Sequence, residues 1–237
     1  MGREQKMSLF TDTLESRLKE LGIPYEPSLP EKCAEYYAHV VEANRHLNLT
    51  RITGEAEAAV QHFADAMALA AWFRLPVGSR VVDIGTGAGF PGVPLKLLRP
   101  DINITLMDAS GKKTDFIRRT LSNMGIEAEV LCARAEEAAR TALRESFDVA
   151  VSRAVAALPM LLELSIPLLK TGGTLAAWKG ETADDEIASA SGAFSALGCA
   201  LTGRRPVGRG ALLLILKQQP TPEAYPRRFS KIKSHPL

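Results

Sequence analysis

Val81-Val82-Asp83-Ile84-Gly85-Thr86-Gly87-Ala88-Gly89-Phe90-Pro91-Gly92 is the stretch that decides the fold. A short β-branched run carrying an acid opens into glycines two apart, and Pro94-Leu95-Lys96-Leu97-Leu98 beyond them reads as a helix. A strand that stops at a glycine-rich turn and restarts as a helix is the ligand-binding corner of a doubly wound α/β sheet. Glycine lets the backbone turn sharply and lets a ligand approach it, and the helix N-terminus offers unpaired N–H groups beside the turn. The spacing restricts the ligand. A dinucleotide fingerprint, G-x-G-x-x-G, needs its third glycine at position 90, which is Phe90. Gly87 and Gly92 have the spacing of a phosphate-cradling P-loop, but Val93-Pro94 stands where Lys-Ser/Thr is required.

Outward from this corner the chain alternates. Strands are expected at 80–84, 103–107, 127–131, 147–152 and 173–178, and helices near 92–99, 111–124, 134–144, 157–169 and 183–196. That alternation predicts a mostly parallel sheet with helices on both faces. Further strands at 199–204 and 211–217, joined through Gly208-Arg209-Gly210, add an antiparallel hairpin and make seven. Upstream, Leu9, Phe10, Leu14, Leu18 and Leu21 follow helical spacing over 7–21, Cys33, Tyr36, Tyr37, Val40 and Val41 mark a helix over 30–46, and 55–73 is an alanine-rich third helix. The expected organisation is a helical extension over 1–75 packed on a core over 76–217, and a basic, proline-containing tail over 218–237 that should be largely disordered without its partner.

A chain of 237 residues suits one large α/β domain with extensions. Its 46% apolar and 24% charged content is that of a globular protein. No apolar run approaches the roughly 18 residues of a membrane span, and residues 1–10 lack an apolar signal core, so a cytoplasmic protein without membrane contact is expected. Nothing suggests more than a monomer. Cys33, Cys132 and Cys199 are far apart, form no metal-binding pattern, and read as small buried hydrophobes. The net charge is +2, but Arg204 to Leu237 holds eight Lys/Arg against one acid, Glu223, a net of +7 that leaves −5 for the remainder. An acidic partner near the C-terminus fits this asymmetry, as does a solvated basic tail.

The pattern Asp83-x-Gly85-x-Gly87-x-Gly89 resembles motif I of class I S-adenosylmethionine (SAM) methyltransferases, in which the turn passes under the amino-acid part of SAM; the competing reading is a tight turn that binds nothing. Ligands of open parallel sheets sit beyond the C-terminal strand ends, and those ends can be collected. The first gives Asp83, Gly85 and Gly87. The second gives Asp108, a carboxylate placed to accept both ribose hydroxyls, or else to cap the next helix. The third gives Arg134-Ala135-Glu136-Glu137, where the Ala135 and Glu136 backbone suits an adenine edge, although acids in a first helical turn also favour the dipole. The fourth gives Ser152-Arg153-Ala154, where such enzymes face the methyl acceptor. Amino-group methylation of a base commonly uses an (N/D)PP(Y/F) turn there, and cytosine C5 methylation needs a Pro-Cys nucleophile; this chain has neither. An acceptor without a proton to remove fits what remains. Guanine N7 is one, and its methylation needs chiefly proximity and alignment. Arg153 is suited to hold guanine O6, a phosphate or the SAM carboxylate, or to pair with an acid. Lys179, at the fifth strand end, is placed to meet an RNA phosphate or to remain solvated.

These pieces together resemble the RsmG (GidB) family, bacterial methyltransferases of a guanine N7 in 16S rRNA. The resemblance rests on Asn48-Leu49-Thr50, the His62 to Asp65 helix, Asp83 through Pro94, Asp108-Ala109-Ser110-Gly111-Lys112-Lys113, Ser152-Arg153-Ala154, Lys179-Gly180, Tyr225-Pro226-Arg227-Arg228 and the closing Pro236-Leu237. Gly89-Phe90-Pro91-Gly92 is its most specific part; Ala109 and Lys113 depart from the usual Ser and Arg. The resemblance implies a class I SAM-methyltransferase fold, SAM as cofactor with no metal, and the small ribosomal subunit as partner. It implies that Gly85, Phe90, Ala135, Glu136 and Arg153 bind SAM, so that Phe90 borders the pocket, with Arg153 also acting in catalysis and Lys179, Arg227 and Arg228 meeting RNA. The runner-up is a SAM enzyme acting on a small molecule or protein; a nucleotide-binding module without catalysis is a third class.

Overall fold

The structure, a computed structural model, describes residues 2–237, with side chains from Leu9 onward. Two long helices come first, α1 (Gly2–Glu20) and α2 (Leu29–Leu47). The helical stretch 55–72 follows in pieces: α3 (Glu55–Ala58), a π-helical turn (Ala59–Ala64), α4 (Asp65–Met67) and α5 (Leu69–Trp72). The chain then alternates through β1 (Arg80–Ile84), α6 (Gly92–Leu98), β2 (Asn103–Asp108), α7 (Gly111–Asn123), β3 (Glu129–Cys132), α8 (Ala135–Ala138), β4 (Phe147–Arg153), α9 (Leu158–Ser165), a 3-10 turn (Ile166–Leu168) and β5 (Leu169–Lys179). It closes with α10 (Ala183–Ser189), α11 (Ser191–Leu197), β6 (Cys199–Val207), β7 (Gly210–Lys217) and α12 (Phe229–Ser234).

The seven strands form one sheet in the order β3-β2-β1-β4-β5-β7-β6. Its first five strands are parallel, and β7 runs antiparallel between β5 and β6. Only Gly208 and Arg209 separate the paired Val207 and Gly210, and Gly208 takes a φ of 54°, as a two-residue hairpin requires. The central strands are apolar on both faces because both faces are covered. Val81, Val149, Val151 and Ala176 face a cluster that includes Phe10, Leu14 and Leu18 of α1 and Cys33, Tyr36, Tyr37 and Val40 of α2. The α2 residues lie at i, i+3, i+4 and i+7, the stripe an amphipathic helix buries. Val82, Ile84, Ala150, Leu175 and Ala177 face the second cluster, with α8 to α12.

Several expectations change. The helix expected over 134–144 is short, and only α8 is regular. The helix expected over 183–196 breaks at Ala190 into α10 and α11, where Ser189, Ser191 and Gly192 weaken helical propensity. Cys132, at the end of the edge strand β3, is exposed rather than buried.

The largest correction concerns the tail, which is docked rather than disordered. Arg144 donates to the carbonyls of Tyr225 (2.8 Å) and Thr221 (2.7 Å). Ile232 is fully buried in the second cluster, and Tyr225, Phe229 and Leu237 pack against it. The physical reason is Glu163, a carboxylate on α9 with no exposure, which accepts from the Arg227 backbone N–H (2.8 Å), Nε (2.9 Å) and Nη2 (2.6 Å). A carboxylate in that position needs a cation, and the tail supplies it.

Candidate functional site

The site begins where β1 ends. Gly85, Gly87 and Gly89 have φ of 68°, 60° and 89°, the left-handed region that L side chains avoid. At Gly85 the need is steric as well, since a Cβ there would lie 2.5 Å from Cγ2 of Val155. At Gly87 the space is open, and the nearest atom to such a Cβ is the Gly85 carbonyl oxygen at 3.9 Å. At Gly87 the turn therefore presents bare backbone, the arrangement a ligand approaching the main chain requires.

Two carboxylates hold the turn in shape. Asp83 is fully buried beneath it, and its Oδ2 accepts from Thr86 Oγ1 (2.6 Å) and the Gly92 N–H (2.8 Å). Its Oδ1 has no hydrogen-bond partner among the described residues. Burial pushes its carboxyl up to about 7, against the pull of those two donors. Asp108, at the end of β2, accepts from the Gly87 N–H (3.0 Å) through Oδ2 and from the Ser110 N–H (2.9 Å) through Oδ1. Asp108 thus ties the glycine turn to the second strand while keeping lone pairs free for ribose hydroxyls. Ser110, at the N-cap position of α7, makes no side-chain cap.

A cleft of about 160 Å³ opens beside the turn, lined by Ile84, Gly85, Met107, Asp108, Ala109, Ala133, Arg134, Ala135, Glu136, Val155 and Leu164. Gly85, Asp108, Ala135 and Glu136, expected from sequence to share a site, come together here at the C-terminal ends of β1, β2 and β3. Larger clefts of about 560 and 620 Å³ lie elsewhere, along β2, β3 and α7 and against α2 and α6. The first includes Arg80 and Asn103, at the N-terminal strand ends, and the second includes Pro100 and Gly125-Ile126-Glu127, in the loops that lead into β2 and β3; both lie at the wrong edge for the ligand of an open parallel sheet.

The loop after β4 covers Gly85. Ala154 has a φ of 57°, unusual for a residue with a Cβ and worth about 1–3 kcal/mol of strain. Val155 next to it is partly exposed. Lys179 braces this loop from below. Its side chain is 6% exposed, pairs with Glu186 at 2.6 Å, and donates to the Ala156 carbonyl at 2.6 Å. Glu186 also accepts from the Leu158 N–H at 2.7 Å. Lys179 is therefore a structural clamp here, not the open rim cation expected from sequence. Arg227 is corrected likewise, because its guanidinium is committed to Glu163. Arg228 is exposed.

Phe90 and Arg153 lie on the opposite side of the turn from the cleft lining, toward the N-terminal helices. The Phe90 ring stacks on His62 (4.4 Å between centroids, 12° between planes) and meets Tyr36 and Phe63 edge-on. It is 6% exposed, so it fills an aromatic cluster behind the turn. Arg153 extends from the last position of β4 over the same ring, its guanidinium carbon 5.5 Å from the centroid. It donates through Nη1 to the Gln61 carbonyl (2.5 Å) and through Nη2 to His62 Nδ1 (2.9 Å). Burial draws Arg153 down to about 10, while Asp83 and Asp65 favour its charged form. His62 Nε2 lies 2.8 Å from Thr50 Oγ1. Burial, and then the neighbouring Arg153 charge, lowers His62 from 6.5 to about 3, so the imidazole is neutral.

Sequence reasoning assigned no role to His62, Thr50, Val155 or Arg134. His62 reads as one position of an alanine-rich helix, and no spacing in the sequence announces that a π-helical turn faces it to β4. Position alone could have flagged Val155, since it follows directly on the strand-end residues Arg153 and Ala154.

Comparison with known proteins identifies relatives of the chain. The family described as GidB, rRNA small subunit methyltransferase G, matches residues 30–203. Ribosomal RNA small subunit methyltransferase G of Pelotomaculum thermopropionicum is 38% identical, across 98% of this chain and 100% of the relative. The protein of the same name from Desulfitobacterium hafniense is 40% identical, across 87% of this chain and 89% of the relative. Among solved structures, a SAM-dependent methyltransferase from Aquifex aeolicus is similar in fold, with a TM-score of 0.50 at 18% identity, covering 64% of this chain and 88% of that one. With its glycine turn and the end of β4 both inside the matched span, the chain belongs to the rRNA small subunit methyltransferase G family.

Proposed function

We propose that this protein transfers the methyl group of SAM to N7 of a guanine in 16S rRNA of the small ribosomal subunit. The family match over residues 30–203 carries this reading, because it contains both the glycine turn and the Ser152-Arg153-Ala154 strand end. When bound, SAM supplies an electrophilic methyl group on a sulfonium. The residues present fit it. Gly87 offers open backbone for its amino-acid part, Gly85 lines the adjoining cleft, Asp108 offers a carboxylate for its ribose, and Ala135 and Glu136 line the same cleft where its adenine would lie.

The acceptor chemistry follows from what surrounds Arg153. Guanine N7 carries a lone pair and no proton, so the protein needs no general base. The nearby titratable groups suit that requirement. His62 is neutral with both ring nitrogens engaged, and Asp83 is sealed beneath the turn. What remains for the chain is to hold the base, exclude water and align nitrogen with methyl carbon. Arg153 carries a guanidinium with donors to spare, suited to guanine O6 or to an anionic group of either ligand.

A transfer assay with labelled SAM tests the reading by offering small subunits, large subunits, free guanosine and bulk protein as acceptors. Label is expected in small-subunit RNA, with a rate at limiting subunit that falls as salt rises. Label in protein or in a free small molecule, independent of salt, would replace this reading with the runner-up.

A further inference from the structure

We propose that His62 is a positioning residue for methyl transfer: Thr50, His62 and Arg153 form one hydrogen-bonded line, packed on Phe90, that sets the orientation of the Arg153 guanidinium at the end of β4. This rests on the reading above, in which Arg153 meets a ligand.

The argument begins with the bookkeeping of donors. An arginine has five N–H groups. The Gln61 carbonyl and His62 Nδ1 take two, and five less two leaves three without an acceptor among the described residues. Among the described residues Arg153 forms no ion pair, although Asp65 and Asp83 are its acidic neighbours. The residue is partly exposed and none of its remaining donors is a buried unpartnered atom, so they are available to a ligand. Both of its acceptors sit in the π-helical turn Ala59–Ala64, an irregularity that recurs at functional sites.

The chemistry of the line is fixed by Arg153, which can only donate. His62 Nδ1 must therefore accept, which places the imidazole proton on Nε2, pointing at Thr50 Oγ1. The hydroxyl oxygen also accepts the Ile52 N–H at 3.0 Å. The loop bearing Thr50 is itself held by Asn44, which accepts from the N–H groups of Leu49 (2.6 Å) and Thr50 (2.9 Å) and donates to the Thr50 carbonyl (2.9 Å). Each partner thus has one orientation. The N-terminal helices, remote in sequence from the methyltransferase corner, supply the brace.

The test uses the full chain, small subunits as acceptor, and a double-mutant cycle of His62→Leu with Arg153→Ala. His62→Leu is expected to lower kcat about ten-fold or more, with KM for SAM within about two-fold and an unchanged circular dichroism spectrum. His62→Asn keeps an acceptor near the place of Nδ1 and is expected to recover most of that loss. The double variant is expected to be no slower than Arg153→Ala alone, because His62 acts through that residue. Additive losses in the cycle, or equal losses in His62→Leu and His62→Asn, would overturn the proposal. A wild-type chain without transfer activity would instead contradict the functional reading. In that event the tautomer still decides the positioning: ¹⁵N resonances showing His62 protonated at Nε2 support it, and protonation at Nδ1 overturns it.

Discussion

Gly85 shows how much of the site is set at the scale of one residue. A side chain there meets both a left-handed backbone, costing about 1–2 kcal/mol, and the methyl groups of Val155. Gly85→Val should abolish SAM binding in a calorimetric titration while the far-ultraviolet spectrum stays that of the native chain. Retained binding would mean that the turn does not approach the cofactor. His62 gives a second prediction through pH. Its folded-state pKa is lowered from 6.5 to about 3, so the unfolded chain takes up a proton in that window and the folded chain does not. The stability His62 contributes is therefore present above pH 6.5 and is lost as pH falls toward 3. The difference in melting temperature between wild type and His62→Asn should shrink or reverse over that window; a constant difference would show that His62 titrates normally in the fold. Both glycine and strand-end residues were legible in the sequence because their spacing is dictated by backbone geometry. The Arg153 to His62 contact was not, because it joins positions 91 apart through a π-helical turn that no local pattern encodes.

At the scale of elements, the tail is where sequence and structure part most clearly. Prolines and scattered basic residues have the composition of a disordered segment, yet Tyr225, Phe229, Ile232 and Leu237 anchor it on the second hydrophobic cluster at irregular spacing. The decisive partner, Glu163, lies 64 positions upstream on α9, an acid in an otherwise apolar run. Arg227 and Arg228 are adjacent and should behave oppositely. Arg227→Ala leaves a carboxylate buried without its cation and should destabilise the fold by about 3–5 kcal/mol, read as a lower urea midpoint. Arg228→Ala should leave the midpoint unchanged and weaken association with small-subunit RNA, with a shallower dependence on salt. Equal midpoints for the two variants would contradict the docking of the tail. The parallel sheet and its closing antiparallel hairpin, by contrast, were accessible from the alternation of elements and from Gly208-Arg209-Gly210, since both follow from chain connectivity.

At the scale of the whole molecule, one sheet separates two hydrophobic layers, and the site lies at its C-terminal edge where the layers meet. The cleft proposed for the cofactor lies beside the glycine turn and has Arg134 in its lining, which the tail meets through Phe229, the guanidinium carbon 5.0 Å from the ring centroid. Arg153 and its brace come from the other layer, built on the N-terminal helices. The cleft and the braced Arg153 are thus assembled from different parts of the chain around one turn. The central claim is tested most directly by the nucleoside content of 16S rRNA, taken from small subunits lacking the modification and incubated with this protein and SAM. The account predicts 7-methylguanosine at a single guanine of that RNA. Methyl groups on any other atom, or none in 16S rRNA while the protein binds SAM, would contradict it.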